Sequence, residues 1–285
     1  MSGNLIIFLR PWYWLPTIAA AVGGLVYSHS GPLTLCRLAL VLLASGPGLS
    51  AFAETINEVC DVQLDRATPA AFFHKLRLSG GSGLIASGAI PVSVAWTVVF
   101  TTALVGLGAA ALLTIQTLVV FLFGLCLAAI YSLSPIRLKK RPFLGMLAQI
   151  LGYGPVAVLI GYLPAHVDMA VVERAALIGV WIGGAGMTAD LLDCDADSAA
   201  GVQTVPVYLG RHRASLLIVV MGAGALVGLS VLQWDARLPS VTAALWITFA
   251  AWAVSVWRFR RGPLPAWTHA FTLAMEVGVP LYALL

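Results

Sequence analysis

Between Val92 and Tyr131 the chain carries no Asp, Glu, Lys or Arg. One helix needs roughly 20 residues to cross the hydrocarbon of a bilayer. The stretch is therefore long enough for two, and a tight turn is expected near Thr114–Thr117. The run is apolar on every side, which excludes the polar–apolar alternation of a membrane β-barrel strand and leaves helices. Similar runs recur along the 285 residues, of which 60% are hydrophobic and only 10% charged, where a soluble domain carries about 25% charged residues. Such a chain cannot cover a surface facing water. The expected fold class is all-α, a polytopic membrane protein in a single domain over residues 1–285.

Nine spans are expected, at approximately 12–29, 34–57, 91–112, 116–134, 143–164, 171–190, 213–232, 239–257 and 266–284. Arg10 before span one, and the bases Arg66, Lys75, Arg77, Arg137, Lys139, Lys140, Arg141, Arg211, Arg213, Arg258, Arg260 and Arg261 in the loops after spans two, four, six and eight, all fall on one side. Only Arg37, Arg174 and Arg237 fall near the other. Basic residues concentrate in cytoplasmic loops, so the N-terminus and these four loops are expected in the cytoplasm and the C-terminus outside, in a multi-pass protein of the cell membrane. The formal charge of +4 thus sets topology, and no nucleic-acid partner is expected. The first apolar stretch has no basic n-region and no small-residue cleavage site, so it reads as a retained span rather than a signal peptide. Cys36, Cys60, Cys126 and Cys194 are scattered without CxxC spacing and read as small buried thiols.

Acidic residues do little for topology, yet eight of the twelve gather in two places on the cytoplasmic side: Glu54, Glu58, Asp61 and Asp65, then Asp190, Asp193, Asp195 and Asp197. Asn57, Asp61 and Asp65 are spaced by four, which on a helix makes one polar stripe. Like charges so placed repel unless a cation lies between them, and carboxylate and amide oxygens suit Mg²⁺, which takes its remaining ligands from water and substrate phosphates. The plainer reading is a polar helix end in water, although ionisable residues at membrane depth are costly and usually functional. Asp190, Asp193 and Asp197 share a face while Asp195 points elsewhere. Two such clusters on one membrane side can hold metal ions against one diphosphate and neutralise it as it leaves.

A diphosphate also needs cationic donors. Arg137, Lys139, Lys140 and Arg141 lie in the loop between spans four and five, although topology alone accounts for bases there. Arg66 and Arg77, beside the first acidic cluster, are further candidates. The segment Leu78–Gly88 is rich in Gly and Ser, which suits either a backbone cradle for phosphate or a flexible linker. No GxxxxGK[ST] sequence is present, which argues against a P-loop nucleotide site.

Three separated motifs resemble the UbiA superfamily of intramembrane prenyltransferases: Asn57…Asp61…Asp65; Tyr131…Pro135-Ile-Arg137-Leu-Lys139; and Asp190…Asp193…Asp197-Ser-Ala-Ala-Gly201, with Arg10-Pro11 ahead of span one. The resemblance implies a nine-helix bundle with a lateral opening to lipid and a cytoplasmic cap. It implies a prenyl diphosphate bound through Mg²⁺, with Asn57, Asp61, Asp65, Asp190, Asp193 and Asp197 as metal ligands. Asp61, Asp65, Asp193 and Asp197 would serve the chemistry, Tyr131 would lie near the reacting carbon, and Lys139 and Arg137 would contact diphosphate. The chain departs from many members in having Glu58 after Asn57, and in replacing Arg-Pro-x-x-Ser-Gly by a longer stretch ending Arg77-Leu-Ser-Gly-Gly-Ser. The acceptor expected is a small molecule, aromatic or a quinone precursor.

Two other readings stay open. A cyclase of the same superfamily would ionise the diphosphate and capture the cation internally, in a cavity lined by aromatic residues. In a cation-coupled transporter, Glu276 in span nine and His269 near its start would matter as much as the two acidic clusters.

Overall fold

The computed structural model describes residues 2–28, 33–67, 83–163, 166–199, 201–233, 239–258 and 266–284, and the described chain is helical throughout, without strands. Helix α1 (Ser2–Leu9) is followed by a 3-10 turn at Pro11–Trp14 and by α2 (Leu15–Tyr27). Helix α3 (Leu35–Leu43) runs through a π-helical segment, Ala44–Ser50, into α4 (Ala51–Ala67). Then come α5 (Val92–Leu113), α6 (Ile115–Ser132), a 3-10 turn at Leu138–Lys140, and α7 (Pro142–Leu151), which passes through a second π segment, Gly152–Val156, into α8 (Ala157–Gly161). The rest comprises α9 (Met169–Ala199), the short α10 (Val205–Leu209), α11 (Arg211–Leu232), α12 (Pro239–Arg258) and α13 (Ala266–Leu284).

Eight helical stretches among the described residues are long and apolar enough to cross a bilayer, and α13 contributes a shorter apolar run, Phe271–Leu284. The expected turn between spans three and four is a single residue. Thr114 ends α5 and caps α6, its hydroxyl accepting from the Thr117 amide at 3.0 Å. The outer faces are apolar: Leu112 is 74% exposed and Ile247 72%, a surface that only lipid can cover. The chain is a multi-pass membrane protein.

Three boundaries differ from expectation. Helical structure begins at Ser2 rather than 12, so Arg10 lies inside the first spanning stretch, Gly3–Tyr27, and not in front of it. Helices α4 and α9 run past the expected span ends at 57 and 190, to Ala67 and Ala199, so both acidic clusters lie in the last turns of continuous helix.

Each π segment holds a Pro, Pro47 or Pro155, which lacks the amide that a regular turn would use. Both segments border the interior cavity, through Leu49 and Ser50 and through Gly152 and Tyr153. Lipid tails give no hydrophobic drive between helices, so association relies on close backbone approach. Helices α2 and α8 show it: a Cβ on Gly161 would collide with the Ala21 carbonyl, and one on Gly24 with that of Val158. On the other side, Trp181 of α9 packs against Phe249 and Trp252 of α12, ring centroids 5.8 Å apart in both pairs.

Candidate active site

One cavity of about 400 Å³ is lined by α4 and α9 together, with contributions from the Pro11–Trp14 turn, α2, α6, α7 and α13. Asn57, Asp61 and Asp65 border it from α4, and Asp190, Asp193 and Asp197 from α9. The helical spacing read in the sequence therefore aims both stripes into the same space. Asp195, one residue off the face, is 79% exposed and pairs instead with Arg211 at 3.0 Å. Below the acids the walls turn apolar, through Leu49, Gly124, Leu127, Ala148 and Ile182.

The basic loop after α6 folds onto the first stripe. Arg137, in a left-handed conformation with φ of 41°, donates to Asp61 Oδ1. Lys139 Nζ donates to Asp61 Oδ2 and to Asn57 Oδ1, and Ser132 Oγ donates to Asn57 Oδ1 at 3.3 Å. Asp61 thus sits between two cations, while the buried Arg137 Nε has no partner among the described residues. Burial pulls the Lys139 ammonium down from its ordinary pKa, against the opposing pull of Asp61.

Asp65 and Asp197 have no ion pair with a base among the described residues. Burial, with the charges of Asp61 and Glu58, pushes Asp65 up to about 7. Burial, with Asp190 and Asp193, pushes Asp197 up to about 8, although Thr204 donates to it at 3.4 Å. Eight acids (Glu54, Glu58, Asp61, Asp65, Asp190, Asp193, Asp197 and Glu276) line the cavity against four bases (Arg10, Arg137, Lys139 and Lys140). Crowded oxygen donors short of positive charge fit a hard divalent cation. No three of the described His, Cys, Asp or Glu residues converge tightly enough to cage an ion alone. Mg²⁺ is commonly held by one or two carboxylates together with phosphate oxygens.

Tyr131 lines the cavity, and its hydroxyl accepts from Gln149 Nε2 at 2.9 Å. Arg66 is exposed at the end of α4 and does not border the cavity. Arg77 and residues 78–82 lie outside the described residues. The described part of the glycine-rich segment, Gly83–Gly88, is a turn away from the cavity, packed through Ile85 near Phe8.

Sequence reasoning missed one arrangement. Arg10, assigned to topology, is 5% exposed and donates to Glu54 at 2.9 Å and to Glu58 at 2.6 Å. Glu58, the departure beside Asn57, is spoken for by that ion pair. Its only signal in the sequence was its oddity, because its partner lies 48 residues away. Gln149 and Tyr153 were also missed; both are uncharged residues in an apolar run, which carries no marker of a site.

The UbiA prenyltransferase family model matches residues 14–275. A lycopene elongase/hydratase of Haloarcula japonica is 28% identical over 219 residues, 75% of this chain and 69% of the relative. The bacteriochlorophyll synthase 34 kDa chain of Chloroflexus aurantiacus is 27% identical over 269 residues, 90% of this chain and 81% of the relative. The fold matches that of a UbiA homolog from Archaeoglobus fulgidus bound to GPP and Mg²⁺, with a TM-score of 0.73 at 20% identity, covering 98% of this chain and 97% of that one.

Proposed function

This chain belongs to the UbiA prenyltransferase family, and we propose that it moves an isoprenoid chain from a prenyl diphosphate to a lipid-soluble acceptor, with Mg²⁺ assisting departure of the diphosphate. The observation that carries this reading is the meeting of two acidic stripes and one basic loop at the polar end of a cavity whose other end is apolar. A prenyl diphosphate has the same polarity, a charged head on a hydrocarbon tail. The lining runs from Arg10 to Glu276, which supports a single catalytic domain over the whole chain.

In this reading Asn57, Asp61 and Asp65 on one stripe and Asp190, Asp193 and Asp197 on the other would hold a pair of Mg²⁺ ions, each ion shared between one or two carboxylates and the diphosphate. Bound Mg²⁺ supplies Lewis-acid neutralisation of the leaving diphosphate. Lys139 and Arg137 reach the head from the loop, and the unpartnered Arg137 Nε is free for a phosphate oxygen. Tyr131, oriented by Gln149, presents its ring or hydroxyl toward the carbon that gains positive character. Apolar walls exclude water, so that the carbon is attacked by the acceptor rather than hydrolysed. The polar end is assigned to the cytoplasm by its basic loops.

The test is mass spectrometry of products from purified protein given several prenyl diphosphates and a panel of aromatic acceptors. A prenylated acceptor, with loss of turnover in EDTA, supports the reading. Cyclic hydrocarbon or alcohol formed without any acceptor would replace it with a cyclase, and binding without diphosphate release would favour transport.

A further inference from the structure

Glu276 is the one acid of the cavity that belongs to neither acidic stripe nor to the Arg10 ion pair. It sits on α13, 9% exposed, with no hydrogen-bond or ion-pair partner among the described residues. One turn earlier, Thr272 is fully used: its hydroxyl accepts from Trp252 Nε1 at 2.9 Å and donates to the Thr268 carbonyl at 2.8 Å. Glu276 has no such local outlet.

Its depth follows from helix register. Arg174 Nε donates to the Ala283 carbonyl at 3.1 Å, which ties the start of α9 to the end of the antiparallel α13. Seven residues back along α13, Glu276 lies level with Trp181 and Ile182. At 1.5 Å per residue that is roughly 13 Å from Asp190 along the axis. It is thus set back from the acids assigned to metal, in a part of the cavity whose polar lining is uncharged: Tyr13, Thr17, Tyr153 and Thr272. A buried polar group left without a partner is costly, and a carboxyl accepts a hydrogen bond in either protonation state. Three of the four bases lining the cavity are committed elsewhere, Arg10 to Glu54 and Glu58, Arg137 and Lys139 to Asp61, and the fourth, Lys140, belongs to the loop beside Asp61. An anionic group would therefore meet an acid without a balancing cation.

We propose that Glu276 is a specificity-determining residue that binds the second substrate: it accepts a hydrogen bond from a hydroxyl on a neutral, lipid-soluble acceptor, and it disfavours acceptors that present a carboxylate there. This rests on the prenyl-transfer reading, because the hydroxyl-bearing molecule is taken to be the acceptor of that reaction.

The experiment measures acceptor binding without donor. Full-length protein in lipid nanodiscs is titrated with 4-dodecylphenol, its methyl ether and dodecanoate, for the wild type, Glu276→Gln and Glu276→Leu. The wild type should bind the phenol about tenfold more tightly than the ether or the carboxylate, the scale of one hydrogen bond to a carboxyl group. Glu276→Gln keeps an accepting carbonyl and should retain the preference for phenol over ether; Glu276→Leu should abolish it. Mg²⁺-dependent binding of geranyl diphosphate should be unchanged in both variants. Equal wild-type affinity for phenol and ether, or a preference that survives in Glu276→Leu, overturns the proposal. If Glu276→Leu does not fold, the wild-type and Glu276→Gln comparisons decide alone. Failure of the wild type to bind geranyl diphosphate overturns the prenyl-transfer reading instead, and it is read in a separate arm.

Discussion

Arg10 donates to Glu58 at 2.6 Å across 48 residues of chain, so that the break between the first two helices is locked to the helix carrying the first acidic stripe. Arg10 holds a left-handed backbone conformation there, with φ of 49°, and the same guanidinium reaches Glu54 one turn earlier on α4. Two buried acids around one base leave little tolerance for losing the base.

Arg10→Ala should therefore destabilise the protein by about 3–5 kcal/mol, the usual consequence of stripping one partner from a buried ion pair. Thermal unfolding in detergent checks this, and Glu58→Gln, which keeps a hydrogen-bonding group at the same reach, should cost less. An Arg10→Ala protein with an unchanged melting temperature would mean that the pair contributes nothing to the fold.

Metal dependence separates the acids by their surroundings. EDTA should abolish turnover and added Mg²⁺ restore it, and Asp193→Ala should lower the rate by orders of magnitude with the melting temperature kept. Asp61→Ala should be equally inactive for an additional reason, since it also releases Lys139 and Arg137 from the positions they hold. Full activity in either variant removes that residue from the mechanism.

Lys139→Gln leaves Arg137, Lys140 and Arg141 in the loop, so membrane orientation should be preserved. Transfer should weaken by roughly 2–4 kcal/mol in kcat/KM for the prenyl diphosphate, as for removal of one preorganised electrostatic donor. The exposed Arg258, at the end of α12, serves as the control, and Arg258→Gln should change little. Equal and small effects at the two positions would confine the loop to a topological role.

Gln149 donates to the Tyr131 hydroxyl at 2.9 Å, so in the proposed reaction it would act by positioning Tyr131. Gln149→Leu should lower kcat by about fivefold, the equivalent of the roughly 1 kcal/mol of a single hydrogen bond, and leave the affinity for prenyl diphosphate alone. A change in donor affinity without a change in kcat would place Gln149 in binding instead.

A reporter fused after Arg141 and one fused at the C-terminus should report opposite sides of the membrane, with the first in the cytoplasm. Both on one side would mean an even number of crossings.

The sequence by itself determined the elements and the faces of the site. Apolar runs such as Val92–Tyr131 must be helical in lipid, where every backbone amide and carbonyl has to be satisfied within its own segment. Spacings of three and four put Asn57, Asp61 and Asp65 on one face, and Asp190, Asp193 and Asp197 on another, before any packing is considered. Even the exclusion of Asp195 followed from helical period alone. These are local properties, fixed by 3.6 residues per turn.

Tertiary structure decided which charges meet. Arg10 looked like one more topological base, yet it is buried with Glu54 and Glu58; Lys139 was expected to face a phosphate, and here it bridges Asn57 and Asp61. Glu276, read in the sequence only as part of the transporter alternative, was put on the cavity wall by the packing of α13 beside α2 and α9. Long-range pairing depends on helix register and crossing, which small-residue contacts such as Gly161 against Ala21 set. Those contacts leave no period in the sequence, because the two partners sit on different helices and each is an ordinary apolar position in its own.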